Sequence, residues 1–349
     1  MTRFLTFMSA LLLGTMAAAD THDQSLRAAF DAGELSGLHS VHLRMGGEVI
    51  MDAYFEGEDE AWGAPLGVQS HGPDTVHDLR SVTKSITALL YGIALEDGLV
   101  PPVDAPLVAQ FPDYEDLLED PVRAAITIED ALTMRMGTEW NENLPYTDPA
   151  NSEIAMERAD DRYRFVLDRP MVTEPGKIWN YNGGATTIIG KLIEDGSGMR
   201  LDAFAKETLF DPLGIETFEW VGWDGVPSAA SGLRLRAPDL AKIGQMLIDG
   251  GVYDGTQVVP ADWIETALSR KTSTGFELDY GYFWYMPPGN PPPWSAGFGN
   301  GGQRFSVNKG LDLVLVVYAG NYNQPNDWQL AVKVVEEHLA PIIRAKLAD

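Results

Sequence analysis

The sequence predicts a mixed α+β fold, in which an antiparallel sheet flanked by helices is built from both chain ends and interrupted by a mostly helical insert. Three observations lead there. Residues 40–57, SVHLRMGGEVIMDAYFEG, alternate apolar and polar positions around Gly46-Gly47, the pattern of a β-hairpin. Residues 303–321, QRFSVNKGLDLVLVVYAGN, repeat it around a turn at Asn308-Lys309-Gly310. Between the two, ITIEDALTMRMG, TTIIGKLIEDGSG and RAPDLAKIGQMLIDGG carry helical spacing bounded by Pro and Gly. The expected division is residues 20–100 with 271–349 as the sheet domain, and 101–270 as the insert.

The elements follow in order. Residues 1–19 have one early cation (Arg3), an apolar run from Phe4 to about Met16 and a small-residue end at Ala17-Ala18-Ala19, as in a cleaved signal peptide. The alternative, a membrane anchor, needs about 20 apolar residues, and this run is shorter. The expectation is therefore a periplasmic or secreted protein, with no stable membrane anchor after cleavage. In DLRSVTKSITALLYGIALEDG (78–98), Val82, Ile86, Leu89, Leu90 and Ile93 form a helical stripe that stops at Gly98. Ser81 opens that helix and Lys84 follows one turn later on the same face. EPGKIWNYNGGATTIIGKLIEDGSG (174–198) reads as a turn, a short extended piece and a helix from about Gly183, which puts Tyr181 just before a helix. SAGFGNGGQRFSV (295–307) is a glycine-rich entry to the last hairpin, PPGNPPPW (287–294) a stiff loop, and 326–349 a helix opened by Asn326 and Asp327.

Composition narrows the function. The formal net charge is −26, and −27 once Arg3 is removed with the leader. A field of that sign repels nucleic acid and anionic lipid surfaces, so no nucleic-acid partner is expected. The chain has no cysteine, which excludes disulfides, thiol nucleophiles and thiolate metal sites. His22, His39, His42, His71, His77 and His338 show no paired-ligand spacing, so neither a metal nor a cofactor is assigned. Nor is there a GxSxG elbow. Residues 297–302 match GxGxxG but precede a strand, where a dinucleotide site needs a helix.

Ser81 and Lys84 can carry chemistry together. A serine hydroxyl becomes a nucleophile when a base takes its proton, and a lysine amine can be that base. The helix start also offers an unpaired N–H for an oxyanion hole. The alternative is a capping serine beside a solvated lysine. A second SxxK, Ser306-Val-Asn-Lys309, runs from a strand into a turn and has no common helical face.

An SxxK at the head of an apolar helix, a tyrosine before a second helix and a glycine-rich entry to the last hairpin, in that order, resemble the serine β-lactamase-like hydrolases, the superfamily of the penicillin-recognising enzymes. The likeness runs from about residue 38 to the C-terminus, with support from LTMRMGTEWNE (132–142) and SAASGLRLRAPDLAKIG (228–244). It is nearest to the class C-like esterases and the 6-aminohexanoate-dimer hydrolase type. The resemblance implies a β-lactamase/transpeptidase-like fold, Ser81 as acylated nucleophile, Lys84 as its proton acceptor and Tyr181 as the relay to the leaving group, without metal or cofactor. It implies oxyanion donors at the N–H of Ser81 and of Asn300, the register staying open within 299–303, and substrate contacts at Asn182, Gly183, Gly299 and Gly301. Two departures concern the substrate. Tyr181-Asn182-Gly183 lacks the asparagine of the family's Tyr-x-Asn, unless Asn182 or Asn180 replaces it. Residues 295–302 lack the lysine of Lys-Thr/Ser-Gly, and Arg304 has no assigned direction.

The expectation is an exported serine hydrolase acting on a small-molecule ester or amide. The rivals are a D-alanyl-D-alanine peptidase, a weak β-lactamase, and a non-catalytic protein of the same fold that binds cell-wall fragments. The aromatic stretches 280–294 and 138–146 either line the pocket or pack the domains together. Oligomeric state is not legible.

Overall fold

The computed structural model describes residues 23–348; the expected signal peptide, 1–19, lies outside them. Its centre is an eight-stranded antiparallel sheet ordered 272–273, 279–280, 285–286, 295–299, 303–308, 313–319, 38–45 and 48–54. The sheet is closed up by the pairing of the first strand, Leu38–Met45, with the last, Leu313–Ala319, in the register Val41↔Val317 and Leu43↔Leu315. Both chain ends thus build one sheet, as the two hairpin patterns require. Gly46 and Gly47, at φ 60° and 75°, make the first turn, a conformation that costs a residue with a Cβ more than it costs glycine.

The strand Leu313–Ala319 is buried throughout, and its two faces serve two cores. Val314, Val316 and Tyr318 join the main core, whereas Leu313, Leu315 and Val317 join a smaller one with Leu26, Val334 and Ile342. Side chains alternate across a strand, so one sheet separates two apolar layers. The smaller layer is roofed by the helix at 23–31 and by the consecutive C-terminal helical segments Trp328–Lys333, Val334–Leu339 and Ala340–Lys346.

On the other face lies the helix Val82–Glu96, buried from Val82 to Ala94, packed against the helix Gly183–Ser197 and the strand Ser295–Gly299. The helix Ala237–Ile248 also packs on the sheet, closely enough that a Cβ on Gly244 would lie 2.4 Å from Val314 Cγ1. Just before it, Leu233–Leu235 pairs with His77–Asp78 and Phe218–Trp220 in a small sheet. The helix Ala237–Ile248, grouped by sequence with the insert, therefore lies on the sheet. Helical period says that a segment is amphipathic but not which layer it covers. Among the described residues, no helix is long and apolar enough to cross a membrane.

Candidate active site

Ser81 occupies the N-cap of its helix, but its side chain makes no capping bond. The hydroxyl is instead committed to its neighbours. Lys84 Nζ lies 3.1 Å from Ser81 Oγ, donates to Ala230 O at 3.0 Å and stands 3.6 Å from Glu153 Oε2. It also sits 4.9 Å from the centroid of the Tyr181 ring, and Tyr181 lines the same cavity as Ser81. Lys84 is 1% exposed. The solvated-lysine alternative is excluded by that burial.

The residue before Ser81 is strained. Arg80 has φ 49°, a left-handed conformation costing a non-glycine residue roughly 1–2 kcal/mol. Its guanidinium pairs with Glu60 and with Asp78 at 3.0 Å, and lies 4.7 Å from the Tyr322 ring centroid. These contacts hold the turn that presents Ser81.

Two carboxyls complete the lysine's surroundings. Glu153, on the short helix Ser152–Glu157, is 3% exposed and accepts from Ser231 Oγ at 3.0 Å. Glu142 accepts from the N–H of Gly183, the Trp140 indole and the Tyr146 hydroxyl, and it shares a hydrogen bond with Glu153. Burial, and then the neighbouring Glu153 charge, push Glu142 up to about 8. Burial would raise Glu153 as well, but Lys84 and the bond from Glu142 hold it below the ordinary carboxylate value. Near neutral pH the pair therefore carries one proton, on Glu142, and Glu153 is the anion facing Lys84. Burial, with the Glu142 charge second, lifts the Tyr181 phenol far above its usual value, so it is a neutral donor.

This arrangement explains Gly183. A Cβ there would fall 2.1 Å from Glu153 Oε2; the carboxylate occupies the room a longer side chain would need. Gly183 also gives its N–H to Glu142 and lines neither lobe of the cavity. Asn182 is 3% exposed and its side chain caps the helix Gly183–Ser197 by accepting from Ala185 N at 3.0 Å. Asn180 donates to Trp140 O. None of the three, Asn182 and Gly183 of the sequence-based substrate contacts included, lines the cavity.

The glycine-rich strand lies against the start of the Ser81 helix. A Cβ on Gly299 would meet Leu79 O at 2.4 Å, and one on Gly297 would meet Ser85 Oγ at 2.8 Å. Within 299–303, the N–H of Gly301 is taken by Asp327 and that of Gly302 by Gly299 O. Among the described residues, the N–H groups of Ser81 and Asn300 donate to no protein acceptor. Gly299 and Asn300 line the cavity, whereas Gly301 does not: a Cβ on it would press on Tyr322 at 2.7 Å.

The cavity has two lobes of about 250 Å³ each, meeting at Ser81, Tyr146 and Asn300. One is lined by Tyr285, Phe298 and Trp328 and contains Arg304. The guanidinium stacks on Phe298 at 4.7 Å and has no carboxylate within 4.0 Å among the described residues. Burial lowers it to about 10, so it stays cationic at neutral pH. The other lobe is edged by Trp62, Glu153, Glu157 and Arg158. Of the aromatics in 280–294, Tyr285 faces the cavity while Tyr280, Tyr282, Phe283 and Trp284 are core. Sequence reasoning missed Glu142, Glu153 and Tyr146 as individual site residues. For Glu142 and Tyr146 the signal was the stretch 138–146, read as pocket lining or packing, and the stretch 132–142 that ends on Glu142; Glu153 had none. Away from the cavity, His39, Asp59, His71 and His77 gather into a separate buried cluster.

A large antiparallel sheet with helical layers and a helix-borne serine and lysine define the β-lactamase/transpeptidase-like fold class. The beta-lactamase family matches residues 31–335, and the chain belongs to that family. It is similar to the 6-aminohexanoate-dimer hydrolase of Paenarthrobacter ureafaciens, 27% identical over 267 residues covering 70% of this chain and 66% of the relative. It is also similar to the lovastatin esterase of Penicillium rubens, 28% identical over 260 residues covering 66% of this chain and 60% of the relative. The chain thus spans a little under two thirds of each relative. Among solved structures, the penicillin-binding protein from Bacillus halodurans superposes with a TM-score of 0.67 at 17% identity, over 88% of this chain and 98% of that one; a likeness of that kind speaks to fold alone.

Proposed function

We propose that the protein is an exported serine hydrolase that cleaves a carboxylic ester or small amide through a Ser81 acyl-enzyme. The observation that carries this reading is the Ser81 hydroxyl, free of any capping bond, 3.1 Å from the buried Lys84 Nζ and sharing a cavity with Tyr181 at the meeting point of two lobes. The hydrolase and esterase relatives support the same class.

In the proposed cycle Ser81 Oγ attacks the substrate carbonyl and its proton passes to Lys84. Lys84 accepts it as the free amine, and the Glu153 carboxylate, 3.6 Å from Nζ, stabilises the ammonium that forms. The N–H groups of Ser81 and Asn300 stabilise the oxyanion; losing one such donor typically costs about 10²–10³ in rate. Tyr181 then gives its proton to the leaving alcohol or amine and is reprotonated from Lys84. Water reverses the sequence on the acyl-enzyme and releases the acid. The aromatic lobe, with its cation Arg304, suits a moderately apolar group ending in a carboxylate, and the lobe beside Trp62 takes the other half of the substrate.

The test is hydrolysis of p-nitrophenyl butyrate by residues 20–349 beside Ser81→Ala. A rate abolished by the substitution is expected. A rate that survives it removes Ser81 as nucleophile. Fluorophosphonate labelling of Ser81 without turnover on any ester or amide would favour the non-catalytic binding protein.

A further inference from the structure

Outside the active site, the first strand, the hairpin Glu56–Ala61/Ala64–Ser70 and the segment entering Ser81 converge on four side chains: His39, Asp59, His71 and His77. Their side chains are 1%, 1%, 3% and 1% exposed, and their donor atoms all lie within 4.8 Å of one another. No sequence spacing links them, because they come from separate elements between residues 39 and 77.

The hydrogen bonds fix which atoms face inward. His71 Nδ1 is 2.8 Å from Phe55 O and His77 Nδ1 is 3.0 Å from Asp78 O. A carbonyl only accepts, so both Nδ1 atoms carry the hydrogen, and in the neutral rings both Nε2 atoms are lone pairs. Those lone pairs point at a carboxylate: His71 Nε2 is 3.3 Å from Asp59 Oδ2, and His77 Nε2 is 3.6 Å from Asp59 Oδ1. Asp59 already accepts from Glu60 N and the Tyr322 hydroxyl. His39 turns Nδ1 inward, 2.9 Å from His77 Nε2 and 3.9 Å from Asp59 Oδ1. Its Nε2 faces the backbone at Gly57 and Gly320, where a Cβ would come within 2.7 Å of it. His71 Nε2 and His77 Nε2 thus turn lone pairs toward a carboxylate in a dry interior, and the one hydrogen available inside the group is a hydrogen on His39 Nδ1, shared with His77 Nε2. A cation at the centre would satisfy the lone pairs and the carboxylate together, and buried polar atoms without a partner cost free energy.

We propose that His39 Nδ1, His71 Nε2, His77 Nε2 and the Asp59 carboxylate bind one divalent transition-metal cation, zinc before others, as a structural site. Zinc–nitrogen and zinc–oxygen bonds of about 2.0–2.2 Å in a tetrahedron separate the ligand atoms by about 3.3–3.5 Å. Four of the six separations, 2.9 to 3.9 Å, lie around that value, and all six are within 4.8 Å. Three imidazoles suit zinc, copper, nickel or iron and argue against calcium or magnesium, which take oxygen ligands. Backbone carbonyls holding the outer nitrogens of His71 and His77 are the outer-shell partners a ligating imidazole takes. The four protein ligands leave no open position, so the ion's role is structural. It ties the first strand and the hairpin to His77, four residues before the proposed nucleophile. Tyr322, which bonds Asp59, also stacks on the strained Arg80.

The test is metal analysis of the intact mature protein, residues 20–349, grown with zinc and dialysed. About one zinc per chain is expected, and stripping with dipicolinate should lower the melting temperature by at least about 5 °C. Cobalt(II) added to the stripped protein should give the strong visible bands of a tetrahedral site. Both signals should be lost in His71→Gln and in Asp59→Asn. A folded wild type holding less than about 0.1 metal per chain in excess zinc, with no cobalt bands, would overturn the proposal and leave a proton shared between His71 and Asp59 as the cation. Zinc retained unchanged in the two variants would overturn it as well. If both variants fail to fold, the wild-type stoichiometry and cobalt spectrum decide.

Discussion

Replacing Glu142 by Gln tests the charge state of the carboxyl pair beneath Lys84. Glu142 starts from 4.5 and is pushed up to about 8 in the folded protein by burial and by the Glu153 charge. The folded state therefore holds a proton that the unfolded chain gives up, and stability falls as pH rises. Glu142's contribution is fully present below about pH 4.5 and lost as pH climbs through about 8. At about 1.36 kcal/mol per pH unit over an interval of about 3.5 units, the ceiling is about 5 kcal/mol. Relaxation and water entry around a charged Glu142 should reduce this to about 2–3 kcal/mol. In Glu142→Gln the amide oxygen can keep the Gly183 and Trp140 donors, and the amide nitrogen supplies the hydrogen of the protonated acid. It cannot ionise. Urea unfolding of both proteins between pH 5 and 8.5 is the assay. Glu157, raised to about 7 chiefly by burial, titrates in the same window, but it does so in both proteins and cancels in the difference. The unfolding free energy of the variant relative to wild type should rise with pH across the window. A difference constant within about 0.5 kcal/mol would refute a protonated Glu142.

Two further substitutions probe the same pocket. Gly183→Asn restores the family's residue, yet its Cβ must displace the Glu153 carboxylate that lies 2.1 Å away; a loss of about 2–4 kcal/mol in stability and at least tenfold in p-nitrophenyl butyrate hydrolysis is expected, and an unchanged melting temperature would show that the site has spare room. Arg304→Met removes the unpaired cation of the aromatic lobe, so kcat/KM for p-nitrophenyl succinate should fall about tenfold or more while that for the neutral butyrate ester holds. Equal losses on both esters would mean that Arg304 serves only packing.

Local pattern made much of this protein legible from its sequence. The alternation in 40–57 and 303–321 specified two hairpins, and the stripe from Val82 to Ile93 a buried helix with Ser81 at its head, because strand and helix periods are properties of neighbouring residues. The glycines at 297 and 299 marked a close approach, and it is the backbone and side chains at the start of the Ser81 helix that they meet. The family likeness ordered these pieces but not the surroundings of its expected substrate contacts: Asn182 turns inward to cap a helix, Gly183 packs against Glu153, and Gly301 faces Tyr322.

What the sequence by itself determined was therefore the elements and the residues that one helix turn or one strand register brings together, Ser81 with Lys84 above all. Only the tertiary structure decided what surrounds them. Glu142 and Glu153 reach Lys84 from a loop and a short helix, Arg304 gains its direction from the sheet, and three histidines and Asp59 meet across separate elements. The physical reason is that such proximity costs chain entropy which the buried layers as a whole must offset. No local period records it.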